Sequence, residues 1–203
     1  PVTREEAAAS AEAAAAVAER IGYPVAMKIE SPDLPHKTEA GGVRLGLRDA
    51  AAVRAAFEDI MASARRYDPK ARLDGVLVQE MISGGVEAIA GLSRHDPFGM
   101  GVVAGTGGVL VELVQDAALD LAPIDAAEAA ALVSRTKLAK LLAGFRGQGV
   151  ADAAAFADLV ARLSQLGTAY APWLEAADLN PVAVLAAGRG ARILDALVIP
   201  RKP

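Results

Sequence analysis

The sequence predicts a mixed α+β fold, and three observations support this prediction. Short apolar segments typical of strands interleave with alanine-rich or amphipathic segments typical of helices. Several neighbouring strand-like segments are joined by short hairpin-like connections, which makes a purely parallel sheet less favourable. The 203 residues, 53% of them hydrophobic, are enough for one or two domains with a sizeable core.

Composition excludes several classes of protein. The chain has no cysteine, which rules out a disulfide scaffold, a thiolate metal site and a cysteine nucleophile. Its net charge of −4 gives no indication of nucleic-acid binding. The longest uncharged run, Pro97–Val111, contains five glycines and is too short to span a membrane. No signal-peptide pattern is present.

The first part of the chain is expected to form two helices and three strands. Ala-rich composition and the stop signal of Gly22 before Pro24 define the first helix. Asp49 is a typical cap for the second helix. The expected helices cover Ala7–Ile21 and Asp49–Arg66, and the expected strands cover Val25–Ile29, Val43–Leu47 and Gly75–Glu80.

The second part is expected to contain more strands, some of them in hairpins. Glycines interrupt the strand pattern at Gly99–Gly108, and Asp125 and Asp152 precede helical segments. The expected strands are Val86–Leu92, Val109–Val114, Glu175–Asn180, Val182–Leu185 and Arg192–Leu197, and the expected helices are Asp125–Val133, Thr136–Leu142 and Asp152–Tyr170.

Two candidate anion-binding features lie early in the chain. Lys28 interrupts an apolar strand, so it either faces solvent or reaches a bound anion. The loop around His36 and Lys37 ends in Gly41 and Gly42, and backbone amides in such loops form anion-binding concavities. Taken alone, Lys28 is equally typical of an exposed lysine on a half-buried strand, and the loop is more typical of an ordinary polar surface loop. The turn Gly105–Gly108 lacks the spacing of known nucleotide loops and favours a tight turn.

Carboxylates and one amide form a candidate metal site near the end of the chain. Asp178 and Asn180 project from one face of a strand, because side chains alternate along it. Asn180 and Asp195 face each other if the connecting turn centres near Gly188. Three oxygen ligands of this kind suit Mg²⁺, which completes its shell with water and phosphates. Two unrelated turn residues are the alternative.

Taken together, these segments resemble the ATP-grasp domain of ADP-forming acyl-CoA synthetases, in the succinyl-CoA synthetase superfamily. The resemblance covers nearly the whole chain in order and at matching spacing. Its motifs are Gly22–Ile29, Ser31–Thr38, Gly41–Val43, Val78–Met81, Gly85–Glu87, Gly105–Gly108, Gly144–Gly147 and Asp178–Pro181.

The resemblance implies a fold of two lobes, each with a mostly antiparallel sheet and helices, and a nucleotide between them. The lobes are expected at residues 22–82 and 83–203, within a single ATP-grasp domain over 1–203 that lacks its leading helix. The implied reaction converts acyl-CoA, ADP and phosphate reversibly to acid, CoA and ATP, through an acyl phosphate and a phosphohistidine. The implied location is the cytoplasm.

The resemblance also assigns roles to individual residues. Lys28 would contact the nucleotide phosphates, together with Gly41 and Gly42. His36 would relay the phosphoryl group, and Lys37 would stabilise its charge. The remaining assignments are Glu80 and Met81 for adenine, Glu87 for ribose, and Asn180 and Asp195, supported by Asp178, for Mg²⁺.

The CoA-binding domain and the domain that bears the main phosphohistidine are not in this sequence. The chain is therefore expected to bind ATP or ADP but to need a partner domain or subunit for the full reaction. Two alternatives stay open: a regulatory ATP-grasp-like module of a fused protein acetyltransferase, and a non-catalytic nucleotide-sensing domain.

Overall fold

The computed structural model describes residues 1–34, 36–108, 115–147 and 149–202, which divide into two compact units. One unit is Thr3–Ser83, and the other joins Pro1–Val2 to the chain from Gly84 onward. The first unit thus includes residues 3–21, ahead of the expected lobe start at residue 22. Within the described part of the chain, no helix is long and apolar enough to cross a membrane.

The unit Thr3–Ser83 contains a four-stranded antiparallel sheet and two helices. The strand order is β1-β4-β2-β3. Both helices contact the sheet and each other, and their buried residues form one core with the sheet. The strands are β1 (Glu5–Ala8), β2 (Val25–Glu30), β3 (Val43–Leu47) and β4 (Gly75–Glu80), and the helices are α1 (Ala11–Ile21) and α2 (Ala50–Tyr67).

The predicted helix over Ala7–Ile21 is too long at its N-terminal end. Glu5–Ala8 instead forms β1 and pairs with β4, so sheet hydrogen bonds override the helix propensity of these alanines. Helix α1 begins after Ser10, whose side chain accepts a hydrogen bond from the Ala13 N–H. Asp49 caps α2 in the same way, as predicted.

The second unit is built on a six-stranded antiparallel sheet. The strand order is β10-β8-β5-β6-β7, and β9 also pairs with β8. Its strands are β5 (Val86–His95), β6 (Gly99–Thr106), β7 (Ala117–Leu121), β8 (Leu174–Val184), β9 (Ala191–Ile193) and β10 (Ala196–Pro200), and its helices are α3 (Ala126–Ser134), α4 (Leu138–Leu142) and α5 (Ala153–Ala169).

Three strand predictions in this unit are wrong in detail. The two segments on either side of Pro181 are one continuous strand, β8, with an irregular register opposite β5 at this point. The predicted strand Arg192–Leu197 is split into β9 and β10. Most of the glycine-dense segment is strand β6. The predicted strand Val109–Val114 lies outside the described residues.

The core of the second unit lies between the sheet and α5. Alternate residues of β5 and β6, such as Leu92 and Val102, are buried against the helices. Phe156 in α5 is fully buried within this cluster. The opposite residues of the same strands, including Glu87, belong to the other face of the sheet and lie outside this core.

We expect Phe156→Ala to lower the free energy of unfolding by about 3–5 kcal/mol, because it leaves a cavity in this core. Phe98 is 73% exposed, and Phe98→Ala is the matched control, with an expected effect of about 0.5 kcal/mol or less. Urea denaturation followed by circular dichroism measures both. Equal effects of the two substitutions would contradict this assignment of the core.

Candidate functional site

Strand β8 and the two strands that pair with it bring Asn180 and Asp195 together. Val182 of β8 pairs with Ile193 of β9, and Leu179 pairs with Ala196 of β10. Both ladders have the same register, so Asn180 and Asp195 lie opposite each other between them. The Leu194 N–H donates to the Pro181 carbonyl at 3.0 Å, which continues the pairing across this gap. The predicted juxtaposition is therefore present.

Asp178 also lies beside Asp195. It occupies the same face of β8 as Asn180, two residues earlier. Partial desolvation of its carboxyl, followed by the negative charge of Asp195, raises the pKa of Asp178. Two carboxylates that repel each other in this way are a favourable environment for a cation.

The glycine turn after β6 is bound to the same group of residues. The Gly108 N–H donates to Asn180 Oδ1 at 3.0 Å, and the Gly107 N–H donates to the Glu87 carbonyl at 3.0 Å. Glu87 Oε2 lies where a Cβ atom on Gly108 would be, and Gly108 has a φ of +77°, which glycine adopts without strain. Glu87 and Asn180 thus meet at Gly108. Of the residues predicted for the site, Glu87, Asp178, Asn180 and Asp195 come together.

Asp116, which sequence reasoning missed, supports the glycine turn from behind. Its carboxylate accepts hydrogen bonds from Thr106 Oγ1 at 2.7 Å and from the Lys137 and Leu138 N–H groups at 2.8 and 3.0 Å. Burial alone would raise the pKa of Asp116, but these hydrogen bonds and the charge of Lys137 hold it below its ordinary value. No local sequence signal connects residue 116 with residue 137.

In the first unit, Lys28 lies next to the loop that carries His36 and Lys37. Lys28 is paired with Val43, which directly follows the loop, and the Ile29 N–H donates to the Gly42 carbonyl at 2.7 Å. Lys28 is half-buried and His36 is exposed. Lys28 is therefore a neighbour, along the sheet, of the loop that carries His36 and Lys37.

The two loop glycines use their amides inside the loop. The Gly41 N–H donates to the Thr38 carbonyl at 3.0 Å, and the Gly42 N–H donates to the Lys37 carbonyl at 2.8 Å. In this conformation, the glycines shape the loop instead of presenting free donors to an anion. Their predicted contact with phosphate stays a prediction.

Glu80 is held by Arg4, a residue that sequence reasoning also missed. Arg4 Nε donates to Glu80 Oε2 at 2.8 Å, and the Arg4 N–H donates to Oε1 at 3.0 Å. Glu80 pairs with the buried Val25, whereas Lys28 pairs with Leu77, so Glu80 and Lys28 belong to opposite faces of the sheet. Met81 follows directly at the end of β4 and is partly buried.

The oxygen donors near Asp195 fit a magnesium ion that is also bound by phosphate. Among the described residues, no three His, Cys, Asp or Glu side chains form a metal-binding group. The set here is instead two carboxylates and one amide oxygen, and Asn180 Oδ1 keeps a second lone pair beside its bond to Gly108. Mg²⁺ commonly takes one or two protein carboxylates and completes its shell with water and phosphates.

The comparisons with known proteins agree with this architecture. Residues 1–199 match a family model described as an ATP-grasp domain. The β subunit of acetate–CoA ligase (ADP-forming) II from Pyrococcus furiosus is 36% identical over 199 residues, which cover 98% of this chain and 84% of that protein. The chain belongs to the ATP-grasp family, in the branch of the ADP-forming acyl-CoA ligases.

Other relatives are much longer than this chain. The 4-hydroxybutyrate–CoA ligase (ADP-forming) of Nitrosopumilus maritimus is 40% identical over 195 residues, 96% of this chain but only 28% of that protein. The acetate–CoA ligase (ADP-forming) I of Archaeoglobus fulgidus is 44% identical over 172 residues, 85% of this chain and 25% of that protein. The chain thus spans about a quarter of these two relatives.

A solved structure has the same fold. The acetyl-coenzyme A synthetase 1 of Candidatus Korarchaeum cryptofilum, in complex with coenzyme A, Ca-AMPCP and HgCl⁺, superimposes with a TM-score of 0.93 at 39% identity. The match covers 99% of this chain and 86% of that one. The predicted ATP-grasp fold and family are confirmed.

We expect Asp116→Asn to destabilise the protein by roughly 1–3 kcal/mol at neutral pH, because it removes a charged acceptor of three hydrogen bonds. The pKa of Asp116 is lowered in the folded state, so its contribution is complete above the ordinary value of 3.8 and declines as the pH falls through the folded-state pKa. Urea denaturation between pH 3 and pH 7 tests this. A stability difference that widens toward low pH would contradict it.

We expect Asp178→Asn to stabilise the metal-free protein slightly, by a few tenths of a kcal/mol, because like charges on neighbouring strands repel. The folded-state pKa of Asp178 is raised, so the gain is present above that pKa and disappears as the pH falls toward the unfolded value. Thermal denaturation in EDTA at several pH values measures it. Destabilisation at neutral pH would show that the Asp178 charge is already compensated.

Proposed function

We propose that the chain is the nucleotide-binding part of an ADP-forming acyl-CoA synthetase. It binds Mg²⁺ with ADP or ATP and takes part in phosphoryl transfer between the nucleotide and a phosphohistidine of another domain. The observation that carries this proposal is the common register of β9 and β10 on β8, which brings Asn180 to Asp195. The carboxylate pair and the glycine turn then form one group around Asn180.

A related solved structure supports the proposed binding of a magnesium nucleotide and the proposed role of a phosphohistidine. One complex of the Korarchaeum enzyme contains coenzyme A and Mg-AMPPCP, with a phosphohistidine segment that points toward the nucleotide-binding site. That chain is 36% identical to this one, with a TM-score of 0.83. We extend to this chain the same two ligands, a magnesium nucleotide and a phosphohistidine supplied by a partner.

In the second unit, Asp178, Asn180 and Asp195 would hold Mg²⁺. The ion would neutralise the charge on the nucleotide phosphates, which is a main requirement of phosphoryl transfer. Asn180 also holds the Gly108 amide, so the glycine turn and the metal ligands are fixed together. Glu87, against Gly108, would bind the ribose hydroxyls.

In the first unit, Lys28 would bind nucleotide phosphates, and the end of β4 at Glu80 and Met81 would hold adenine. His36 would receive the phosphoryl group from the phosphohistidine: the bond from phosphorus to the donor nitrogen breaks, and a bond to a nitrogen of His36 forms. A terminal oxygen of ADP would then displace His36 and form ATP. Lys37 would balance the negative charge of the group in transit.

The remaining steps need partners outside this chain. Coenzyme A and the acyl group would meet on a CoA-binding domain or subunit, and the phosphohistidine would come from the domain or subunit that bears it. A cytoplasmic location agrees with substrates such as ATP and coenzyme A. The acyl group would bind mostly outside this chain, and none of the residues discussed above would contact it.

We expect ADP with Mg²⁺, at about 100 times its dissociation constant, to stabilise the chain by about 2.7 kcal/mol. This corresponds to a rise of roughly 5–10 °C in the melting temperature. The shift should require Mg²⁺ and should vanish in the double variant Asn180→Ala with Asp195→Ala. Thermal denaturation with and without EDTA measures it.

Asp158→Ala provides a matched control. Asp158 is an exposed carboxylate of the same unit that pairs with Arg162 on the surface of α5, so its removal should leave the shift intact. A Mg²⁺-dependent shift that survives in the Asn180/Asp195 double variant would refute the proposed metal site. No shift in the wild type would refute nucleotide binding by this chain.

A further inference from the structure

Arg44 connects the loop of residues 36–42 to helix α2. Its Nη1 donates to the carbonyls of Gly41 and Val43, at 3.0 and 2.8 Å. Its Nε donates to Asp59 Oδ2 at 2.9 Å, and Nη2 contacts the same oxygen. Because Asp59 belongs to α2, a single guanidinium bonds both to the end of the loop and to a rigid helix.

A direct contact supports this attachment at the next turn of the helix. A Cβ atom placed on Gly41 would lie 3.3 Å from Ser63 Cβ, so the Gly41 backbone lies against α2 one turn beyond Asp59. Gly41 has a φ of +63°, which glycine adopts without strain. The end of the loop is therefore held by Arg44 and by close packing.

Three hydrogen bonds extend this attachment to the start of the loop. The amides of Ala40, Gly41 and Gly42 donate to the carbonyls of His36, Thr38 and Lys37, at 3.3, 3.0 and 2.8 Å. Each carbonyl in the first half of the loop is thus held by an amide in its anchored second half. The backbone positions of His36 and Lys37 consequently depend on where Gly41 is held.

We propose that Arg44, together with Asp59, is a positioning residue that fixes the His36 and Lys37 backbone for phosphoryl transfer. This proposal rests on the proposed function of that loop. The planar guanidinium bonds to carbonyl and carboxylate oxygens at the same time, and a lysine at this position would offer only one compact donor group. Arg44 would act through the loop backbone, since its hydrogen bonds go to Gly41, Val43 and Asp59.

The first test measures the loop without any nucleotide. In Arg44→Met, amide hydrogen exchange at Gly41 and Gly42 should rise by about fivefold or more, as expected when a hydrogen-bonded anchor is lost. The rate of carbethoxylation of His36 should change relative to that of His95, the second histidine of the chain, which lies in the other unit. Amides in the middle of α2 should keep their protection, which would show that the variant is folded.

Arg54→Met is the matched control. Arg54 also lies on α2 and forms a surface ion pair with Glu12 at 2.8 Å, whereas Arg44 bonds to Gly41 at the end of the loop. The Arg54→Met variant should leave amide exchange at Gly41 and Gly42, and carbethoxylation of His36, at wild-type values. Unchanged exchange at Gly41 and Gly42 in Arg44→Met, or an equal increase in Arg54→Met, would overturn the proposal.

The second test uses the chain with its phosphohistidine-bearing partner. Arg44→Met should lower kcat for phosphoryl transfer by about tenfold or more, because small displacements of reacting groups are costly, while the dissociation constant of Mg·ADP stays within about twofold. Arg44→Lys should give an intermediate kcat. A loosened loop with wild-type kcat would overturn the positioning role. Failure of the wild type to bind Mg·ADP would instead refute the proposed function, and the exchange data would still decide whether Arg44 fixes the loop.

Discussion

The antiparallel pairing of β8 is the constraint on which the candidate site depends. This strand pairs with β5 on one side and with β9 and β10 on the other. Its register toward β9 and β10 is common to both, whereas its register toward β5 shifts near Asn180. A one-residue slip would move Asn180 to the other face of the sheet, so the burial of other β8 residues also secures the position of the proposed metal ligands.

In the second unit, two like charges lie close together at the candidate metal site, and hydrogen bonds stabilise the residues next to them. Asp178 and Asp195 repel each other, and a bound cation would relieve that repulsion. Asp116, in contrast, accepts three hydrogen bonds, from Thr106 and from the start of α4, which favour its charged form. Hydrogen bonds thus connect the glycine turn to Asn180, beside the acidic pair, and to Asp116. Such support from neighbouring residues suits a preorganised binding site.

In the first unit, the residues proposed for phosphoryl transfer, His36 and Lys37, lie on a surface loop. His36 is exposed, and a loop without an internal framework would not hold it in place. Hydrogen bonds within the loop and the Arg44–Asp59 connection to α2 supply that framework. Arg4 holds Glu80 similarly at the end of β4. In both cases, an arginine outside the recognised motifs forms hydrogen bonds with a residue that belongs to one: Arg4 with Glu80, and Arg44 with Gly41.

The sequence by itself determined the α+β class, most helix ends and the principal motifs. Caps such as Asp49 and short apolar strands such as β2 are local features, which the neighbouring residues decide. The opposition of Asn180 and Asp195 was also predictable, because the two residues lie on either side of one hairpin. The tertiary structure alone decided that Glu5–Ala8 is a strand, that Asp116 reaches Lys137, and that Arg44 reaches Asp59. These features depend on contacts between residues far apart in the chain, for which no local pattern provides a signal.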